Sequence, residues 1–171
     1  MKKYELTAEF IEKWGKKLFR IKALISFGSV EAGELGGYIE KEDNLAHDGN
    51  AWVYGNAEVY GDARVSGDAR VYGDARVCGD ARVCDDADYL LIGRIGSRFS
   101  FTTFFKNKDK GITVSCGCFL GTIAEFRAKV TDTHGNNKHA KMYNLAADMA
   151  ELQILGEEHF DKLNTNKSEP F

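Results

Sequence analysis

The 171-residue sequence contains no apolar run long enough to cross a bilayer, and its opening, MKKYELTAEF, lacks the apolar centre of a secretion signal. Cysteine is scarce. Four in such a chain read as free thiols rather than as a disulfide framework. The expectation is a cytoplasmic protein without a membrane partner. Zinc-type spacing is missing, because Cys116 and Cys118 have no second ligand pair; they are expected on one face of one strand as structural thiols. Gly93 and Gly96 do not stand between a strand and a helix, which excludes a dinucleotide-binding fingerprint. No metal or cofactor is expected. A basic stripe is also absent: residues 47–88 hold four Arg against nine Asp or Glu, which argues against binding of double-stranded nucleic acid.

What is present is a repeat. Cut at the aliphatic position, residues 47–88 read HDGNAW, VYGNAE, VYGDAR, VSGDAR, VYGDAR, VCGDAR, VCDDAD, seven hexads with no insertion, and LGGYIE and KEDNLA extend them back to Leu35. Val53, Val59, Val65, Val71, Val77 and Val83 occupy the first position and Ala the fifth, so each unit offers one large and one small inward side chain. β-Branched Val suits an extended backbone, and Gly-Asp or Gly-Asn supplies a bend with positive φ. Each hexad is therefore a short strand and a corner, and stacked coils bury one another's Val column, at about 1.5–3 kcal/mol per side chain.

The pattern aliphatic-x-x-x-small-x resembles the hexapeptide-repeat family. The resemblance implies a mainly-β fold, a short left-handed parallel β-helix with three hexads per coil, so that residues eighteen apart become vertical neighbours. On that register Glu58 lies under Arg76, Tyr54 stacks on Tyr72, and Arg70 falls between Trp52 and Asp88. Arg64 lies under Arg82, near the carboxylates of Asp62 and Asp80. Trp52, Tyr54, Tyr72, Arg70 and Arg76 are thus candidate surface residues of the coil. Cys78 and Cys84 occupy second positions on adjacent sides, too far apart to chelate.

The chain is expected to divide into an N-terminal cap at 1–34, a hexapeptide coil at 35–94, a hairpin with two helices at 95–156 and a loose polar tail at 157–171. In the cap, the spacing of Phe10, Ile11, Trp14 and Leu18 predicts a helix over Thr7–Lys17, followed by a strand in LFRIKALISF. Beyond the coil, RFSFTTFFK and ITVSCGCFL predict a hairpin across NKDKG. Thr122 and Glu125 form a capping box for a helix ended by Gly135, and a second helix runs from about Lys138 to Leu155. Its Ala146, Met149, Ala150 and Ile154 predict an apolar stripe. So small an appendage is expected to pack on the coil or on another subunit. Phe99, Phe101, Phe104 and Phe105 are too many for one face, which points to a subunit interface.

The combination of LGGYIEKEDNLAHDGNAWVYG, GDAR coils and IGSR…TTFF…CGCFLGT is similar to proteins of phages, prophages and gut bacteria that are labelled hexapeptide transferases and bring no established reaction. Many hexapeptide-repeat enzymes are trimers that use a His as general base on an acyl donor bound between subunits. Here the coils are uninterrupted and contain only His47, in a terminal unit, where packing or edge solvation is expected; His134 and His139 flank a bend between helices. The preferred reading is a non-enzymatic protein-binding scaffold, a homo-oligomer (trimer or dimer) that meets a bacterial protein partner, as a phage-encoded inhibitor of a defence system such as a CRISPR nuclease would. A divergent acyltransferase and a self-assembling structural protein are the alternatives. Arg94, Arg98, Thr102, Thr103, Lys106 and Lys108 form the one local basic cluster outside the coil and are the candidate partner-binding residues.

Overall fold

A computed structural model describes residues 1–165, apart from the Asn164 side chain. The described chain is mainly β, with thirteen strands and three α-helices, and divides into two compact units after Asp88. No helix is long and apolar enough to cross a membrane.

The first unit opens with a hairpin. β1 (Tyr4–Lys13) pairs antiparallel with β2 (Lys16–Ala23), and β2 pairs with β3 (Leu35–Ile39). The helix predicted over Thr7–Lys17 is therefore incorrect. Trp14 and Gly15 both adopt positive φ and form a two-residue connection matched to strand twist, and pairing along β2 outweighs the helical spacing of the apolar residues.

Six two-residue strands follow at six-residue intervals: β4 (Trp52–Val53), β5 (Glu58–Val59), β6 (Arg64–Val65), β7 (Arg70–Val71), β8 (Arg76–Val77) and β9 (Arg82–Val83). They pair in parallel at a separation of eighteen residues, Trp52 with Arg70, Glu58 with Arg76 and Arg64 with Arg82. Side chains repeat the register: Asn50 Nδ2 donates to Asp68 Oδ1 at 2.9 Å, and Ser66 Oγ to Cys84 Sγ at 3.3 Å. All six Val side chains are fully buried, with Ala51 to Ala81 between them. The corner glycines Gly49, Gly55, Gly61, Gly67, Gly73 and Gly79 all have positive φ, between 58° and 70°.

The repeat ends where the third position of a hexad becomes Asp85 instead of Gly. Residues Asp86–Asp88 turn into one 3-10 helix, and their carboxylates take over the last amides: Asp88 Oδ2 accepts from Cys84 N at 2.9 Å and Asp86 Oδ1 from Arg70 N at 2.7 Å. The opposite end is closed by a cation. Buried Lys3 donates through Nζ to the carbonyl of Ala51 at 2.8 Å and to those of Asp48 and Gly49 at 3.4 Å, and the Tyr4 hydroxyl donates to the carbonyls of Leu45 and Glu42. A terminal course exposes unpaired peptide groups, and each end is met by side chains of the matching sign.

The second unit begins earlier than the periodicity suggested. Residues 89–94, assigned above to the coil, belong to β10 (Tyr89–Ile95), the edge of an antiparallel sheet completed by β11 (Ser100–Lys106), β12 (Ile112–Cys116) and β13 (Phe119–Thr122). The second half of the expected hairpin is two strands, because Gly117, at positive φ, turns the chain between Cys116 and Cys118. The two thiols do not share one strand. α1 (Ile123–His134) starts at the Thr122 cap, where Glu125 N donates to Thr122 Oγ1 and the Glu125 carboxylate accepts from Thr122 N. α2 (Lys138–Leu155) starts at Asn137 and stops at Gly156.

This unit owns a core, contrary to the expectation that it needed one from elsewhere. Phe104, Ile112, Val114, Phe126, Val130, Ala140, Tyr143, Ala146, Ala147, Ala150 and Ile154 form one buried cluster, with Phe126 meeting Phe104 and Tyr143 edge to face. A further helix, α3 (Glu157–Thr165), occupies most of the segment expected as a loose tail. The rest of that segment, 166–171, lies outside the described residues.

Candidate functional site

The six candidate partner-binding residues do not form one cluster. β11 joins Ser100, opposite Ile95 at one end of the hairpin, to Lys106 at the other, and a strand advances about 3.3 Å per residue. Arg94 and Arg98 therefore sit at the β10–β11 turn, whereas Lys106 and Lys108 sit at the β11–β12 end, roughly 20 Å away. Thr102 and Thr103, between them, are buried on the central strand, and Thr102 Oγ1 donates to Cys116 Sγ at 3.2 Å. Their expected surface role is withdrawn, because β11 is flanked by strands on both sides and is buried on both faces.

The turn itself is a compact feature. Arg94, Arg98 and Phe99 are all exposed there, Phe99 at 69%. Phe99 holds φ at +47°, a left-handed conformation that disfavours a bulky side chain by about 1–2 kcal/mol, so the turn geometry is imposed by its surroundings. The anchor is Gly96: a Cβ at that position would overlap the Tyr143 hydroxyl of α2. Burial pushes Tyr143 up to about 12, helped by the Cys116 sulfur and opposed by Arg98. Tyr143 thus stays a neutral phenol that braces the turn. Phe104 and Phe105 are buried, Phe101 is partly covered, and only Phe99 of the four aromatics faces outward.

On the coil, Tyr54 and Tyr72 stack as expected, with centroids 4.4 Å apart and planes within 12°. Arg70 is the register partner of Trp52. Its guanidinium binds Asp86 in a fork, at 2.7 and 3.1 Å, and Trp52 is fully buried beside Tyr4 and Phe27 under the N-terminal segment. Trp52 therefore leaves the surface set, since the coil carries a cover that the repeat alone does not announce. Arg76 is half-buried and lies opposite Glu58 in the register, and the Glu58 carboxylate accepts from Lys13. Arg82, stacked on Arg64, directs Nη1 to the backbone carbonyls of Asp62, Asp80 and Ala81.

The imidazoles are held by packing. His47 stacks on Tyr4 at 4.3 Å and accepts the Lys3 amide through Nδ1 at 3.2 Å, which fixes Nδ1 as an acceptor. His134 stacks on Tyr143 and lies 5.7 Å from His139. No group of three or more His, Cys, Asp or Glu among the described residues is arranged to hold a metal ion.

α2 carries a feature that the sequence reading missed. Ala146, Ala150 and Ile154 face the core, but Met149 does not. Met142, Leu145, Met149 and Leu152 are exposed at 39, 63, 57 and 45%, a second apolar stripe on the outer face of the helix. Beside Leu145, a cleft of about 470 Å³ opens between α1 and α2, lined also by Thr131, Lys141, Asn144 and Asp148. Two of its lining residues are held by Arg127, which donates to Asn144 Oδ1 and Asp148 Oδ1 and also to Glu151 Oε2. The 3-4-3 spacing of the stripe was legible in KMYNLAADMAELQIL; counting a single face of the helix hid it.

No family model and no curated protein matches this chain.

Proposed function

We propose that this chain is a non-enzymatic protein-binding scaffold: a left-handed parallel β-helix of hexapeptide repeats linked to a separately folded unit that engages a bacterial protein. The supporting observation is the β10–β11 turn, where Phe99 stands 69% exposed between two exposed arginines on a backbone braced by Tyr143. Arginine and aromatic side chains on a rigid support are the residues that dominate binding energy in protein interfaces, and two guanidinium groups select an acidic partner surface. The resemblance to phage and gut-bacterial proteins directs the search for that partner towards host proteins, with inhibition of a defence nuclease as the first candidate. The handedness of the coil is likewise taken from that resemblance.

The test is affinity capture from bacterial lysate with mass spectrometry, comparing the wild-type chain with Arg94→Glu/Arg98→Glu/Phe99→Ala and with Lys106→Glu/Lys108→Glu, all verified as folded by circular dichroism. A partner retained by the wild type and the lysine variant but lost from the turn variant is the expected result. Equal retention by all three, or coenzyme A-dependent acyl transfer abolished by His47→Ala, His134→Ala or His139→Ala, overturns the reading.

A further inference from the structure

The outer face of α2 is apolar without a covering element among the described residues. Met142, Leu145, Met149 and Leu152 recur at intervals of three, four and three, the seam pattern by which one helix packs along another. On a 3.6-residue helix this stripe lies roughly 150° around from the buried Tyr143, Ala147, Ala150 and Ile154. Four such side chains make a patch on the order of 300–600 Å², the size that marks an association surface.

The spacing of the stripe is the same from either end. Rotation about a two-fold axis at Ala147 sets Met142 against Leu152 of a second copy, and Leu145 against Met149 of that copy, so all four layers join a flexible thioether to a branched aliphatic. The charges beyond the seam agree with that direction. Exposed Lys138, one turn before Met142, comes level with Gly156 of the second copy, beside its exposed Glu157 and Glu158. A parallel arrangement sets Lys138 against Lys138 and the glutamates against each other. Asp148, which flanks the seam near the axis, is already paired with Arg127 at 2.7 Å, so each copy brings its own counter-charge.

We propose that the α2 outer face is the interface of an antiparallel two-fold homodimer, in which the Met142, Leu145, Met149 and Leu152 seams of two chains interlock and Lys138 of each chain meets Glu157 and Glu158 of the other. The surface is separate from the β10–β11 turn, and the patch size places the association in the weak, micromolar class.

Sedimentation equilibrium of the full chain tests it. The expected result is reversible association from 19.0 kDa to twice that mass. Leu145→Asp/Met149→Asp, at exposed positions that leave the circular dichroism spectrum unchanged, weakens the dimer by at least about 100-fold because it sets carboxylates in an apolar seam. Lys138→Glu weakens it by about 10-fold, and adding Glu157→Lys and Glu158→Lys to that variant restores it. A monomer at concentrations up to about 100 µM, where a micromolar dimer is populated, overturns the proposal. So does a trimer that survives Leu145→Asp/Met149→Asp, or a charge swap that fails to rescue Lys138→Glu.

Discussion

The two units reach a buried core by different routes. In Met1–Asp88, the hexads from Val53 to Arg82 each contribute the same two inward side chains, Val and Ala, and β4 to β9 pair by repetition with partners eighteen residues away. In the unit from Tyr89 onward, the core is aromatic and irregular: Phe104, Phe126 and Tyr143 come from a strand and two helices and meet through edge-to-face contacts. The first architecture tolerates variation outside the corners and the Val column, since Tyr, Ser and Cys alternate freely at the second position. The second depends on a few particular side chains, and its exposed faces carry the features suited to recognition.

The sharpest way to separate the two is to break one core at a time. Val71→Asp places an unpaired carboxylate in the fully buried column, and it is expected to destabilise the first unit by more than about 4 kcal/mol. Phe104→Ala is expected to cost about 3–5 kcal/mol in the second. Urea titration followed by circular dichroism and by Trp fluorescence, which reports only on the first unit because Trp14 and Trp52 both lie there, should show the two losses in different signals. Coincident transitions in both variants would show that the units unfold as one.

A finer comparison lies within the coil. At Gly67 a Cβ would approach the Cys84 carbonyl to 2.5 Å, whereas at Gly55 the nearest atom, the Gly73 carbonyl oxygen, stands 3.9 Å away. Both substitutions to Ala carry the cost of positive φ, about 1–2 kcal/mol, but Gly67→Ala adds a backbone collision and should be clearly the worse of the two in thermal melts.

The closing cation gives a smaller, pH-dependent effect. Burial lowers Lys3 from 10.5 to about 8, against the opposing pull of Asp48. Between about pH 8 and 10.5 the unfolded chain then holds the proton that the folded chain has released, so stability rises with pH across that window. Burial first, then Glu42 and Asp43, raise the Tyr4 hydroxyl above its ordinary value of 10.0, so above that pH the folded chain keeps a proton the unfolded chain loses, and stability falls. The urea midpoint should therefore rise from about pH 8 and peak near pH 10, and Lys3→Met should remove the rising limb. A flat profile in the wild type would show that the Lys3 amine is hydrated. The smallest effect belongs to the second unit: Thr122→Ala removes the α1 cap and should cost about 1 kcal/mol, measurable by urea titration.

Local signals were read where a residue acts on its immediate neighbours. The Thr122 and Glu125 box, the Gly135 and Gly156 stops and the positive-φ corners all lie within a few residues of the structure they determine, and each is found in place. Errors arose where the partner was distant. Phe10, Ile11, Trp14 and Leu18 satisfy a helical spacing, but Tyr4–Lys13 is held extended by its pairing with β2. Arg94 and Lys108 are near in sequence and fall at opposite ends of β11, because a strand separates what a list of residues keeps together. The column alone places Trp52 outward, yet Tyr4 and Phe27 cover it from a segment more than twenty residues earlier.

The sequence by itself determined the eighteen-residue register, the Val and Ala interior, the corner glycines and the ends of α1 and α2, since a repeat states its own pairing and a cap acts within one turn. Tertiary structure alone decided that the N-terminal segment is a hairpin, that Lys3 and the Asp86–Asp88 carboxylates close the two ends of the coil, and that the second unit has its own core. It also decided which face of α2 no other described element covers. Those outcomes depend on which surfaces meet across long stretches of chain, and the free energy of burying one face instead of another is a property of the assembled layers rather than of any local run of residues.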